Sequence, residues 1–318
     1  MSRIVVTGAN GFLGSAVVAA LAARGDEVTA FDMAQGPALQ AAAARFPNLR
    51  LVSGEITEWQ HVVELLRRAE PDAVVHLAAI VGVVNSMAAP FATMRVNIGG
   101  ALNVLEAMRL LGLKRFVNMS SEEIYGDFES ARITEDHPCR PVMPYGISKF
   151  AVEQLARDYV RLHGMECIHL RTCWVYGPGL PRPRIPKTFI DAALKGEPLH
   201  MASGGDFRVD QVYIGDLVAG VLAVLDKTDH RFDAYHIATG ASPSLREIVE
   251  IVKELVPGAD LSIGPGPYDF GRGIATVRKG ALDVSRARAE LGYVPKYDIR
   301  AGIAANVEAT RRALAATA

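Results

Sequence analysis

Thr7-Gly8-Ala9-Asn10-Gly11-Phe12-Leu13-Gly14 decides how this chain folds. The apolar run Arg3 to Thr7 precedes it directly and an amphipathic stretch follows. Glycines at three-residue spacing in that context carry the backbone from a strand straight into a helix. Gly8 and Gly11 let the main chain approach an anion, Gly14 lets helix and sheet pack closely, and the free N–H groups of the first helical turn face the anion. Glycine spacing alone leaves an ordinary strand-to-helix turn open.

Asp32 separates the two readings. It ends the second apolar run, about 20 residues beyond the loop, where a carboxylate accepts hydrogen bonds from the hydroxyls of an adenosine ribose. The same charge repels a 2′-phosphate, and no arginine adjoins Asp32 to offset it. The expected cofactor is therefore NAD, held by Gly8, Asn10, Gly11, Phe12, Leu13, Gly14 and Asp32. Glu55 and Ile56, after the third strand, can reach the adenine, although Glu55 reads equally well as a solvated loop carboxylate. Leu77, Ala78 and Ala79, small or apolar residues after the fourth strand, leave room for the dinucleotide.

Outward from the loop, Glu27 to Phe31, Asn48 to Val52, Asp72 to His76, Lys114 to Met119 and Glu166 to Arg171 read as further strands, with helical patterns between them. Near-continuous apolar strands separated by helices predict an α/β fold, a doubly wound parallel sheet of Rossmann type covered on both faces. The rhythm breaks at the proline- and glycine-rich stretch Gly177 to Pro186. Residues 1–174 are expected to form the NAD-binding domain with the catalytic residues. Residues 175–318 are expected to form mainly a smaller C-terminal substrate lobe, with helices near 184–195, 214–226, 244–255 and 298–315 and elements able to return to the first domain.

Composition narrows the class. Among 318 residues, 34 Lys and Arg face 35 Asp and Glu, with no basic block, so no nucleic-acid partner is expected. No apolar run approaches the roughly 18 residues of a membrane span, and the chain opens directly on a strand, so neither membrane association nor export is expected. Cys139, Cys167 and Cys173 lack C-x-x-C spacing and are odd in number. Neither a disulfide framework nor zinc is indicated, and a cytoplasmic location follows. The histidines lack metal-binding spacing, so no metal is expected.

Tyr145-Gly146-Ile147-Ser148-Lys149 puts a phenol and an amine four residues apart on one helical face. A tyrosine titrates near ~10 and is a poor base at neutral pH unless nearby positive charge stabilises the phenolate. Lys149 can supply that charge and hold a ribose. Ser121 follows the fifth strand, at the end where doubly wound folds place their chemistry, and its hydroxyl can hold the reacting oxygen near Tyr145.

Together these residues resemble the extended short-chain dehydrogenases, NAD-dependent nucleotide-sugar epimerases and dehydratases, over nearly the whole chain. The shared features are the glycine loop, Leu77-Ala78-Ala79, Asn97, Ser120-Ser121, Tyr145 to Lys149, Tyr176-Gly177-Pro178 and Leu291-Gly292-Tyr293-Val294-Pro295. The resemblance implies that Ser121 binds the substrate hydroxyl, Tyr145 is the acid/base, Lys149 anchors ribose and Asn97 belongs to the cofactor site. It also implies a homodimer built through the Asn97 helix and the Tyr145 helix.

Ser121-Glu122-Glu123-Ile124-Tyr125-Gly126 resembles the dehydratase and decarboxylase variants. By that resemblance Glu123 removes a proton beside a transient keto group, and Glu122 stands in for an acidic Asp. Adjacent carboxyls can divide base and acid roles if their environments separate their pKa values; as loop-end charges they would simply be solvated. Two departures concern the substrate. Trp174 stands where nucleotide-sugar enzymes usually carry an asparagine, and in Phe207-Arg208-Val209-Asp210 the arginine sits one residue early, which turns Arg208 to the other face of a strand. Arg208, Arg272 and Arg278 are candidates to grip a phosphate or carboxylate, or else surface arginines. The expected activity is epimerisation or dehydration of a sugar or nucleotide sugar through a keto intermediate. Net dehydrogenation of a free sugar acid or small hydroxy acid, and a non-catalytic dinucleotide sensor, are the alternatives.

Overall fold

The apolar runs form the centre of the molecule. The computed structural model describes residues 1–270 and 277–317. In it β1 (Arg3–Thr7), α1 (Phe12–Arg24), β2 (Glu27–Asp32), α2 (Pro37–Arg45), β3 (Leu49–Ser53), α3 (Trp59–Ala69) and β4 (Ala73–His76) alternate. Next come α4 (Val83–Ala88), α5 (Pro90–Met94), a π turn at Arg95–Gly99, α6 (Gly100–Leu110) and β5 (Arg115–Met119). A 3-10 turn at Glu122–Ile124, β6 (Arg132–Ile133) and the long α7 (Pro144–His163) lead to β7 (Glu166–Thr172) and β8 (Trp174–Tyr176). The rest runs α8 (Lys187–Lys195), β9 (Leu199–Met201), β10 (Gln211–Tyr213), α9 (Ile214–Asp226), β11 (Ala234–Ile237) and α10 (Leu245–Leu255). It ends with β12 (Leu261–Ile263), β13 (Ala281–Leu282), α11 (Ser285–Leu291) and α12 (Ile299–Thr317).

Seven strands form one sheet in the order β3-β2-β1-β4-β5-β7-β11, every neighbouring pair parallel. Such a sheet must be covered on both faces. One face packs under Val17, Val18 and Leu21 of α1 and Leu217 and Val221 of α9, the other under Val62 and Leu66 of α3, Val104, Leu105 and Met108 of α6 and Ala156 of α7. A third cluster, with Trp174, Phe189, Ile248, Val252 and Ile303, holds the second half together. Strand order reverses between β1 and β4, and the crevice beyond the C-terminal ends there is where open α/β sheets bind ligands.

Two polar devices stiffen the sheet below that crevice. Thr7, His76, Asn118 and His169 stand in one register row across β1, β4, β5 and β7, joined by Thr7–His76 and Asn118–His169 hydrogen bonds of 2.9 and 3.2 Å. Burial pushes His76 down to about 3 and His169 to about 4, so both rings are neutral at pH 7. Beside them the Arg171 guanidinium donates to both Glu153 carboxylate oxygens, at 3.0 and 2.7 Å, and Ser120 donates to the first at 2.6 Å. Burial alone would raise Glu153, but His169, Arg171 and Ser120 hold it at about 2. The pair ties β7 to α7 and to the end of β5, which carries Ser121.

Candidate active site

A continuous cavity of about 700 Å³ follows the C-terminal ends of the strands, from the glycine loop to Trp174 and Arg184. At one end the backbone itself is the binding surface. Gly8 has φ 69°, and a Cβ there would lie 2.6 Å from the Ala78 nitrogen, while a Cβ on Gly14 would lie 2.1 Å from the Gly8 carbonyl oxygen. Gly11 caps α1 in an extended conformation without a side-chain cap, so the first-turn N–H groups are available to an anion. Asp32 accepts from the Asn10 N–H at 2.9 Å and lines the cavity with Phe12, Leu13, Glu55, Ile56, Leu77, Ala78 and Ala79. This glycine cradle, with a carboxylate ending β2, fits the pyrophosphate and ribose of NAD.

Asn10 and Asn97 are not among the lining residues. The Asn10 side chain accepts from the Gly36 N–H at 2.9 Å and anchors the loop after β2. Asn97, in the π turn, accepts from the Ile80 N–H at 2.7 Å and donates to the Ser148 hydroxyl at 2.9 Å. It thus fastens the loop after β4 to α7 from behind the wall. Arg95 reaches Glu55 at 3.3 Å, so that carboxylate is partnered at the cavity rim.

At the other end the start of α7 brings a phenol and an amine to the cavity. Met143 is extended and Pro144 occupies the first turn, where a missing N–H and a fixed φ suit helix initiation. Tyr145, Ser148, Lys149 and Val152 then share the buried face of α7. Burial raises the Tyr145 phenol, while Arg182, a hydrogen bond with Ser121, and Arg184 work against that rise. Ser121 also accepts from the Glu123 N–H at 3.2 Å, capping the 3-10 turn. Lys149 donates to the Met119 carbonyl at 2.8 Å, and burial lowers its ammonium to about 8.

Glu122 and Glu123 both face inward, and their environments differ. Neither Glu122 oxygen has a hydrogen-bond partner among the described residues, and burial pushes its carboxyl up to about 8. Glu123 is ion-paired with Lys279 at 3.1 Å. Trp174 lines the cavity with its indole N–H unpaired among the described residues, packed near Phe207, Tyr268 and Phe270.

The arginines read from sequence go elsewhere. Arg208 is exposed, donating to the Ser242 carbonyl at 3.1 Å and pairing with Glu247 at 3.4 Å. Arg278 is exposed and donates to the Phe128 carbonyl at 2.6 Å; Arg272 lies outside the described residues. In their place stand Lys279, one residue past Arg278, and Arg182 and Arg184 in the proline-rich loop, both lining the cavity. Alternation of side chains along an extended segment was the one available signal for Lys279. Nothing in a P-R-P-R run says which way its guanidiniums turn.

The sheet, the glycine cradle and the Ser-Tyr-Lys set define an enzyme that works with NAD on a Rossmann-type scaffold. The chain belongs to the NAD dependent epimerase/dehydratase family, whose profile matches residues 4–238. It is 33% identical to a dTDP-glucose 4,6-dehydratase of Streptomyces griseus over 96% of this chain and 93% of that one. Its fold superposes on a UDP-glucose 4-epimerase of Thermotoga maritima solved with UDP-glucose (TM-score 0.88, 29% identity, 98% and 99% of the two chains). It also superposes on MoeE5 in complex with UDP-glucuronic acid and NAD (TM-score 0.86, 30% identity, 98% and 99% covered). Among the described residues no helix is long and apolar enough to cross a membrane.

Proposed function

We propose that the chain epimerises or dehydrates a nucleotide sugar through a transient keto intermediate. The observation that carries the reading is the meeting of Ser121, Tyr145 and Lys149 in the cavity that also holds the glycine cradle. Gly8, Gly11, Phe12, Leu13, Gly14, Asp32, Ile56 and Leu77 to Ala79 would hold NAD, whose nicotinamide would supply a reversible hydride acceptor. Tyr145 takes the proton of the reacting hydroxyl, whose oxygen Ser121 positions. Lys149, released from the Met119 carbonyl, holds a ribose and steadies the phenolate. Asn10, Glu55 and Asn97 shape the cofactor site through the loops they fasten.

Glu122 and Glu123 favour the dehydratase branch. A carboxyl raised to about 8 keeps its proton at neutral pH and can protonate a leaving hydroxyl. Glu123, presented as a carboxylate by Lys279, can remove the proton beside the keto group. In the epimerase branch the same pair would only contact the sugar. Residues 1–174 are assigned to cofactor and catalysis and 175–318 mainly to the substrate. A homodimer through α6 and α7 agrees with the exposed Leu102, Ile147 and Val160, and a cytoplasmic location with the three free cysteines.

The test is incubation of purified protein with NAD and a panel of nucleotide sugars and free sugar acids, following NADH absorbance and product mass. Conversion at unchanged mass, or with loss of water, and without NADH accumulating, is the expected result. Stoichiometric NADH release with a free acid, and no change in any nucleotide sugar, would replace this reading by net dehydrogenation.

A further inference from the structure

The charges around the reacting end do not cancel. Lys279 and Glu123 neutralise one another, and Glu122 keeps its proton at neutral pH. Lys149 is engaged by the Met119 carbonyl, and Arg182 and Arg184 are the guanidiniums that remain. Arg182 donates to the Val81 carbonyl at 3.2 Å, and the missing side chain of Gly82 makes its room: a Cβ there would lie 2.7 Å from the guanidinium. Arg184 stacks 4.2 Å over the Trp174 ring and makes no hydrogen bond or ion pair with the described residues. Burial lowers it to about 10, and it feels Glu123 and Glu122. Both guanidiniums act on the Tyr145 phenol, which places them at the reacting ring and not at the adenine end. Two part-buried guanidiniums lining one cavity, neither of them paired with a carboxylate among the described residues, offer an anion a bidentate grip.

Resting on the epimerase branch of the epimerase/dehydratase reading, since a uronate has no C6 hydroxyl to lose, we propose that Arg182 and Arg184 form an anion subsite beside Tyr145, and that the substrate is a sugar acid whose ring carboxylate they hold against Trp174. A nucleotide diphosphate offers the same chemistry, so the test separates the two sources. The chain has two tryptophans, and Trp59 lies on α3, outside the cavity lining. In a Trp59→Phe background, Trp174 alone reports binding to the NAD-loaded enzyme. UDP-glucuronic acid should bind at least ~10-fold tighter than UDP-glucose, and glucuronate tighter than glucose by a similar factor. Arg184→Met and Arg182→Met should each shrink those ratios toward one, and Arg184→Lys should restore them partly, because an ammonium keeps the charge but not the fork.

Equal binding of acid and neutral sugars by the unsubstituted protein, or ratios that survive both methionine substitutions, would overturn the proposal. So would displacement of UDP-glucose by inorganic phosphate in an Arg184-dependent manner, which would assign the subsite to the diphosphate. Conversion is scored separately by product mass. A neutral nucleotide sugar converted with no acid preference would leave the family reaction standing and remove only the subsite. Acid preference without any conversion would keep the subsite and remove the reaction.

Discussion

Lys279 and Glu123 form a 3.1 Å ion pair whose side chains are 2% and 10% exposed. One partner comes from the segment before β13, the other from the turn capping β5. The carboxylate nominated as catalytic base is therefore held by the far end of the chain. Removing the ammonium leaves a buried charge alone, which typically costs about 3–5 kcal/mol. Lys279→Met should lose stability of that order in urea unfolding, and the double variant with Glu123→Gln should lose clearly less than the sum of the singles. Additive losses would show that the two groups do not interact in solution.

Tyr145→Phe removes the hydroxyl proposed to take the substrate proton. Turnover should fall by about 10²–10⁴-fold, the usual worth of a positioned acid/base, while NAD affinity, measured by calorimetry, stays within about twofold. Unchanged turnover would remove the mechanism.

Asp32, which lines the cavity at the end of β2, is the carboxylate proposed to reject a 2′-phosphate. Asp32→Ser should weaken NAD and improve NADP, narrowing their affinity ratio by roughly tenfold or more through loss of the charge repulsion. A ratio unaffected by the substitution would place the discrimination elsewhere, for instance at Arg95 beside Glu55.

Glu122 makes the fold pH-dependent, with a definite sign. Its folded pKa is raised to about 8 from 4.5 by burial. Between those values the unfolded chain has released a proton that the native state retains, so folding is increasingly opposed as pH rises. Glu122→Gln should therefore gain on the parent enzyme from pH 5 to pH 8, by roughly 5 °C in Tm, with no such gain below pH 4.5. If Glu122 is also the acid, the parent's dehydratase rate should fall above about pH 8.

Gly14 tests the cradle by contact. A Cβ there meets the Gly8 carbonyl oxygen at 2.1 Å, whereas one on Gly112, with φ 72°, meets nothing within 4 Å. Gly112→Ala should cost only about 1–2 kcal/mol, the ordinary left-handed penalty. Gly14→Ala should cost considerably more and abolish NAD binding, as calorimetry and thermal melts would show.

The sheet and cofactor end were readable because each rests on a local pattern: apolar runs for β1 to β5 and β7, glycines at fixed offsets, an acid ending β2. Tyr145 and Lys149 were readable because helical spacing puts them on one face. The substrate end was not, because it is assembled by loops whose course depends on distant partners. Arg182 is aimed by the Val81 carbonyl and the space over Gly82, Arg184 by Trp174, and Lys279 by a one-residue phase that sends Arg278 outward. Likewise Asn97 reads as a cofactor residue, whereas its amide is occupied by Ile80 and Ser148.

Strand β11 has a consequence for how such a protein can change. It is supplied by the second half of the chain, yet it pairs with β7 at the edge of the central sheet, and α9 just before it covers α1, with Arg24 bridged to Asp226. A chain cut after residue 174 would bare the whole hydrogen-bonding edge of β7, an invitation to intermolecular pairing. The halves are thus not interchangeable modules, and a foreign lobe grafted at that joint would have to supply the edge strand that β11 now provides. New specificity is more readily acquired in place, by rewriting the segments at 81–87 and 178–186 while the interleaved frame is inherited intact.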